Sequence, residues 1–176
     1  MLATMLLAVV LAAGAAPDAA RAEALRAEAK RFEGVWVCKA ARVWGQPIHR
    51  AEGLTWEFRA DTESNHGGAA PPAGALVLDE QAHVPGIKDP HYVRQHVTVD
   101  PSTEPKKFDV PHMRIEGIYR FTPEGLEICE SPLWWRPRSF SGEKDRDGGG
   151  LYVLVRQTPK PKGDGGPEKT PAAKPR

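Results

Sequence analysis

The sequence predicts an all-β domain, an antiparallel barrel or sandwich preceded by one short helix. About eight short runs of strand-forming residues lie between residues 35 and 156, and turn residues separate them. The runs do not alternate with helical segments, which excludes a parallel sheet built from β-α-β units. A chain of 176 residues is long enough for one domain with its own core.

The short helix is predicted over residues 17–32, PDAARAEALRAEAKRF. Ala, Glu and Arg have high helix propensities, and Asp18 suits the N-cap position. Leu25, Ala29 and Phe32 form an apolar stripe on one face of this helix. We therefore expect this face to pack on the β-domain.

An apolar run, MLATMLLAVVLAAGAA, occupies residues 1–16. It is shorter than the roughly 20 residues of a membrane span, and Ala13-Gly14-Ala15 resembles a signal-peptidase site. No Lys or Arg precedes the apolar stretch, although signal peptides usually carry one. We expect a signal peptide and an exported protein, periplasmic or extracellular, without a stable membrane span after cleavage. A buried N-terminal helix is the alternative.

The predicted strands follow one another with turn residues between them. The clearest hairpin joins two of them through Thr122-Pro123-Glu124-Gly125, where Pro suits the second turn position. The runs are residues 35–40, 42–48, 54–60, 75–79, 92–99, 113–121, 126–130 and 151–156. The domain is predicted to end at residue 157, and residues 158–176, rich in Pro, Gly and Lys, to form a disordered tail.

Residues 100–110, DPSTEPKKFDV, carry enough charge to suggest an acid–base site. Asp100, Glu104 and Asp109 are the acids that such a site would use. An Asp before Pro favours a turn, however, and the two lysines of the stretch can screen the acids. We interpret the stretch as a corner between strands.

Charge and motifs argue against several functions. The 24 basic and 23 acidic residues give a net charge of +1, too balanced for a nucleic-acid binder. Nucleotide-binding glycine loops, G-x-S-x-G and H-E-x-x-H do not occur in the sequence. The six histidines show no H-x-H spacing, and the two cysteines form no C-x-x-C motif. We expect no catalytic residues, no cofactor, no metal and no nucleic-acid partner.

The two cysteines are predicted to face opposite sides of the sheet. Cys38 shares the face of Trp36, whereas Cys129 alternates with Leu126 and Ile128. Opposite faces argue against a disulfide, although a β-bulge would reverse the parity. Whether the pair forms a bond stays open at this point.

Gly34-Val35-Trp36 follows the predicted helix directly and opens the first strand, and Arg156 ends the last strand. This order resembles the G-x-W motif and terminal Arg of lipocalins and related calycin barrels. The resemblance implies an antiparallel eight-stranded barrel in which the helix closes one end. It also implies that Gly34, Trp36 and Arg156 close the barrel base, with the guanidinium on the indole.

Residues 30 to 157 also resemble an uncharacterised, planctomycete-type family of secreted domains with a lipocalin-like pattern. The residues that carry this resemblance are Phe32-Glu33-Gly34-Val35-Trp36, Asp100-Pro101, Pro105-Lys106, Phe108-Asp109, Gly117-Ile118-Tyr119, Gly125-Leu126-Glu127-Ile128-Cys129, Arg136-Pro137-Arg138-Ser139-Phe140 and Arg156. No activity is assigned to that family, so the resemblance implies a fold alone.

The barrel interior is the remaining candidate for function. An eight-stranded barrel has room for packed side chains or one small ligand. We expect Trp56, Phe58, Met113, Tyr119 and Phe121 to line it and the protein to bind a small, partly apolar ligand without catalysis. The alternative is a cell-envelope interaction or structural module with a filled barrel, which would use an exposed Trp134-Trp135 patch.

Overall fold

The computed structural model describes residues 3–62, 71–82, 91–131, 135–141 and 149–158. One helix, α1 (Ala3–Phe32), precedes nine strands. The strands are β1 (Gly34–Val43), β2 (Gln46–Pro47), β3 (Thr55–Ala60), β4 (Ala75–Ala82), β5 (His91–Asp100), β6 (Lys106–Val110), β7 (Ile115–Thr122), β8 (Gly125–Ser131) and β9 (Gly150–Arg156). Short 3₁₀ turns cover His49–Ala51 and Pro111–Met113.

Strands β1 and β3–β9 form a closed, antiparallel, eight-stranded barrel. Neighbours in the chain pair in order, and β9 pairs back with β1, placing Arg156 opposite Trp36. Closure gives the first and last strands partners that an open sheet would not provide. The predicted all-β, eight-stranded barrel with an N-terminal helix is confirmed.

The core lies inside the barrel and draws on alternate residues of each strand. It is mainly aliphatic and aromatic. The buried strand residues of this core are Trp36, Cys38, Ala41, Trp56, Phe58, Leu76, Leu78, Val97, Val99, Phe108, Val110, Tyr119, Leu126, Ile128 and Leu154.

The helix is longer than predicted. It begins at Ala3, so the prediction that Asp18 caps it is wrong, and Asp18 lies exposed within it. Residues 3–16 are themselves rich in Ala and Leu, which favour helix, and the two segments therefore continue into one another. No helix among the described residues is both long and apolar enough to cross a membrane.

Two predicted strand boundaries are wrong as well. The first run and the first two residues of the second form β1, which passes through a bulge between Cys38 and Ala40 and ends at Val43, while Gln46–Pro47 of the second run form the separate strand β2. Only the first part of residues 100–110 connects two strands, since the last five residues form β6 with Phe108 and Val110 buried. Three polar residues among those five hide the alternation. The predicted tail beyond residue 158, residues 63–70 and Trp134 lie outside the described residues.

Phe32 plugs the barrel at the end of α1. Its side chain is fully buried, and its ring centroid lies 5.4 Å from Phe58, 4.8 Å from Tyr119 and 5.1 Å from Phe121. These rings meet edge to face, a geometry worth about 0.5–1.5 kcal/mol per pair beyond burial. The aromatic layer around Phe32 therefore fills the base of the barrel.

Gly34, Trp36 and Arg156 lie together at this base. The Arg156 guanidinium carbon is 4.4 Å from the centre of the Trp36 ring, and the guanidinium donates hydrogen bonds to two carbonyl oxygens at the end of α1. Trp36 Nε1 donates to the Phe32 carbonyl at 2.7 Å. Gly34 has φ of +114°, and a Cβ there would lie 3.0 Å from Arg156, so the chain turns into the barrel at a residue without a side chain.

A buried ion cluster attaches α1 to the barrel wall. Glu28 accepts hydrogen bonds from Lys106 at 2.7 Å, Tyr119 at 3.0 Å and Arg31 at 2.9 Å. Burial raises the pKa of Glu28, but the three hydrogen bonds together lower it by more than burial raises it. The pKa of Glu28 therefore lies below the usual value. Glu28 is thus a charged residue whose partners are all in place.

Replacing Phe32 by Ala is expected to lower the free energy of unfolding by about 3–5 kcal/mol, because the substitution leaves a cavity in the aromatic layer. Urea denaturation measures the change. Arg26→Ala, on the exposed face of the same helix, is the control and is expected to change stability by less than about 0.5 kcal/mol. A similar small loss for Phe32→Ala would show that the helix does not seal the barrel.

Candidate functional site

The half of the barrel away from α1 contains a cavity of about 180 Å³. Its wall combines apolar and polar side chains: Trp56, Leu78, Glu80, Gln95, Phe108, Val110, Met113, Ile115, Glu130 and Tyr152. Met113 lines the cavity yet is 49% exposed, so it stands at the mouth. A cavity of about 150 Å³ accommodates benzene, so this one has room for a molecule of one small ring.

Two glutamates of this wall point inward because strand side chains alternate. Glu80 follows Leu78 by two residues on β4, and Glu130 follows Ile128 by two residues on β8. Leu78 and Ile128 are both in the buried core. The same alternation, extended by one step along each strand, places both carboxyl groups inside the barrel. Neither glutamate was among the lining residues predicted from the sequence.

Glycines make room around Glu130. It pairs with Gly117 on β7 and with Gly150 on β9, so the positions beside it in the barrel wall have no side chain. A Cβ on Gly150 would lie 3.0 Å from Cε2 and 3.1 Å from the hydroxyl oxygen of Tyr152. The absence of that atom leaves room for the Tyr152 hydroxyl beside Glu130, and this hydroxyl lowers the pKa of the carboxyl group.

The two carboxyl groups lie in an environment that opposes their ionisation. Burial raises the pKa of Glu130, the nearby charge of Glu80 also raises it, and the Tyr152 hydroxyl lowers it, so that the resulting pKa is about 7. Burial also raises the pKa of Glu80. None of the described residues that line the cavity is basic. Among the described residues, the acids of this site therefore have no positive partners like those that surround Glu28.

Trp56 adds an unused hydrogen-bond donor to the cavity wall. Its side chain is 4% exposed, and its Nε1–H has no acceptor among the described residues. Trp56 lies opposite Glu80 in the β3–β4 register and lowers the pKa of that carboxyl group, but the contact falls short of hydrogen-bond geometry. A buried donor without a partner is destabilising by about 1–3 kcal/mol. The donor is thus available to a ligand oxygen.

The five residues predicted to line the barrel divide between two layers. Trp56 and Met113 line the cavity, whereas Phe58, Tyr119 and Phe121 surround Phe32 in the base. Met113 lies outside β7, because Arg114 adopts a φ of +55° and interrupts the strand pattern there. Four further residues line the cavity and were not predicted from the sequence: Glu80, Gln95, Glu130 and Tyr152.

The charged corner has structural partners. Asp109 accepts two hydrogen bonds from Arg136, at 2.5 and 3.0 Å, and Asp100 accepts from the backbone and hydroxyl of Ser102. Hydrogen bonds from Ser102 lower the pKa of Asp100. The two aspartates thus have separate partners, and the corner interpretation stands for residues 100–105.

The histidines converge only in part. His96 shares a 2.9 Å hydrogen bond with Asp61, and the His96 and His112 rings lie 6.5 Å apart on the outer surface. His66 and His83 lie outside the described residues. Within the described ranges, no group of three or more His, Cys, Asp or Glu side chains is arranged to hold a metal ion.

The cysteines are free and buried. Cys38 belongs to the interior core, and burial raises its pKa to about 11. At neutral pH its thiolate fraction is therefore very small, and it is a poor nucleophile.

Comparison with protein-family models, curated proteins and solved structures gives no match for this chain. The fold and the cavity are therefore the basis for its function.

Glu130→Gln is expected to change how stability depends on pH. The pKa of Glu130 is raised from 4.5 to about 7 by folding, so its stabilising contribution is present below pH 4.5 and is lost as the pH rises through about 7. Gln does not titrate. The variant should therefore gain on the order of 2–3 kcal/mol over the wild type between about pH 4.5 and about pH 8.

Urea denaturation at both pH values measures this difference. Glu127→Gln is the matched control, because Glu127 lies on the outward face of the same strand and pairs with Arg120. Its effect should stay within about 1 kcal/mol at both pH values. A constant difference between Glu130→Gln and the wild type across this range would contradict the raised pKa.

Proposed function

We propose that this protein binds a small, partly apolar ligand in the upper half of the barrel, the half away from α1, and does not catalyse a reaction on it. The cavity of about 180 Å³ carries the proposal. Ligand sites are typically concave and mainly apolar, with a few polar groups that orient the ligand. The wall of this cavity has that composition, and Met113 marks an entrance.

The aromatic side chains suit a flat or compact ligand. The rings of Trp56 and Tyr152 lie 5.1 Å apart at an angle of 45°, and Phe108 belongs to the same wall. Two groups of the wall, the Trp56 N–H and the Glu130 carboxyl, offer hydrogen bonds. A ligand of one ring with one or two polar atoms matches this arrangement in size and chemistry.

An interaction or structural module of the cell envelope is the second candidate. Trp44 and Trp135 support it, because they are 51% and 50% exposed on the outside of the barrel. The aromatic layer around Phe32 also shows that the base of the barrel is filled. This alternative, however, assigns no role to the polar groups of the cavity.

Benzyl alcohol, a neutral one-ring probe, is expected to shift the Trp56 indole N–H resonance in ¹⁵N-resolved NMR spectra and to saturate it. The hydroxyl oxygen accepts a hydrogen bond from the unpartnered N–H. Trp56→Phe identifies the resonance among the five tryptophans. Native mass spectrometry of protein from its own source should show a retained molecule.

Two variants test the location of this binding. Ile115→Trp fills the cavity from β7 and should abolish the shift. Val153→Trp adds the same bulk on the outward face of β9 and should leave binding intact. Circular dichroism checks that both variants fold. Ligand binding would be refuted if protein from its own source had the mass of the chain alone and the Trp56 indole N–H resonance did not shift.

We also propose that the protein is exported and that residues 1–16 are removed. Removal is compatible with the fold, since Glu28 and Phe32, which attach the helix to the barrel, lie beyond residue 16. N-terminal sequencing should show that the mature protein begins at Pro17. An intact Met1 would contradict export by this route.

A further inference from the structure

We propose that the ligand is a small organic cation, a protonated amine on an apolar body of about one ring, held between Glu80 and Glu130. This inference rests on the proposed ligand-binding function and assigns the chemical class of the ligand. It follows from three independent features of the cavity.

The first feature is an unbalanced negative site. Two carboxyl groups lie in the cavity wall, and the described lining residues include no Lys, Arg or His. Ionised carboxylates in a protein interior are strongly unfavourable unless a positive partner accompanies them. Glu28 at the base shows the compensated arrangement, with Lys106 and Arg31 in contact. A cationic ligand would be the counterpart of those two side chains in the upper half of the barrel.

The second feature is the aromatic surface beside the carboxyl groups. Trp56, Phe108 and Tyr152 line the same small cavity. The face of an aromatic ring attracts an ammonium group, by about 2 kcal/mol or more when the pair is desolvated. An anion in this position would meet both the ring faces and the carboxylates, and both repel it. The wall therefore selects for positive charge.

The third feature is the unpartnered N–H of Trp56, which is buried and faces the cavity. It requires an oxygen or nitrogen acceptor. A ligand with an ammonium group for the carboxylates and an oxygen for Trp56 would satisfy both ends of the site. Amines that carry a hydroxyl or carbonyl oxygen are therefore expected to be the best ligands.

Binding of such a cation depends on the ionisation of Glu130. Within the part of the chain that the structure describes, the titratable groups that face it are Glu80 from β4 and Tyr152 from β9, with Cys38 from β1 close to Tyr152. Its partner on β7 is Gly117, which has no side chain. The pKa of Glu130 is about 7, so the carboxylate forms as the pH rises through that value, while an aliphatic amine stays protonated. Affinity should therefore increase between about pH 6 and about pH 8.

Benzylamine and benzyl alcohol test the inference, because they share size and shape and differ in charge. Isothermal calorimetry on the full chain at about pH 8 should show benzylamine binding at least about tenfold more tightly than benzyl alcohol, and benzoate not binding. The advantage of benzylamine should shrink at about pH 6, and the affinity of benzyl alcohol should stay constant.

Glu80→Gln and Glu130→Gln should each weaken benzylamine binding and leave benzyl alcohol binding intact, which also shows that the variants fold. Glu127→Gln, outside the barrel, should change neither affinity. Equal affinities for benzylamine and benzyl alcohol would overturn the cation assignment while ligand binding stands. Failure of every probe, combined with a bare native mass, would overturn ligand binding as well.

Discussion

Phe32 divides the barrel interior into two halves, with the packed base on one side and the cavity on the other. Below and around the ring, Phe58, Tyr119 and Phe121 pack edge to face and leave the base filled. Arg156 covers Trp36 at the same end and binds the last carbonyl groups of the helix. Because the packed base closes one end of the barrel, the space in the other half is a pocket, and its wall includes polar side chains.

The two halves of the barrel place inward-facing carboxyl groups in opposite environments. Glu28 lies beside Lys106, Arg31 and Tyr119, and its pKa is lowered below the usual value. Glu130 faces another acid and a phenol, and its pKa is raised to about 7. The first arrangement stabilises the attachment of the helix. The second is destabilising in the protein alone at neutral pH, which is the physical basis for proposing a positively charged ligand.

Individual residues show how far the sequence allowed the fold and site to be predicted. Alternation placed Trp56, Phe58 and Tyr119 inside the barrel, but it did not say which half each would occupy, since depth depends on strand stagger. Strand β6 was missed because Lys107 and Asp109 interrupt its apolar residues. Met113 was misplaced on a strand, because a left-handed residue, Arg114, starts a new segment after it. The inward direction of Glu130 was accessible from Ile128 by parity alone.

The sequence by itself determined the class of fold, the order of most strands and the presence of a helix before the G-x-W motif, because these features depend on local periodicity and turn residues. The tertiary structure alone decided where the barrel is filled and where it is hollow. It also brought together Glu80 and Glu130, fifty residues apart in the chain, on facing walls of one cavity. Barrel closure and strand stagger determine that these two side chains face each other, and both arise from pairings between distant segments.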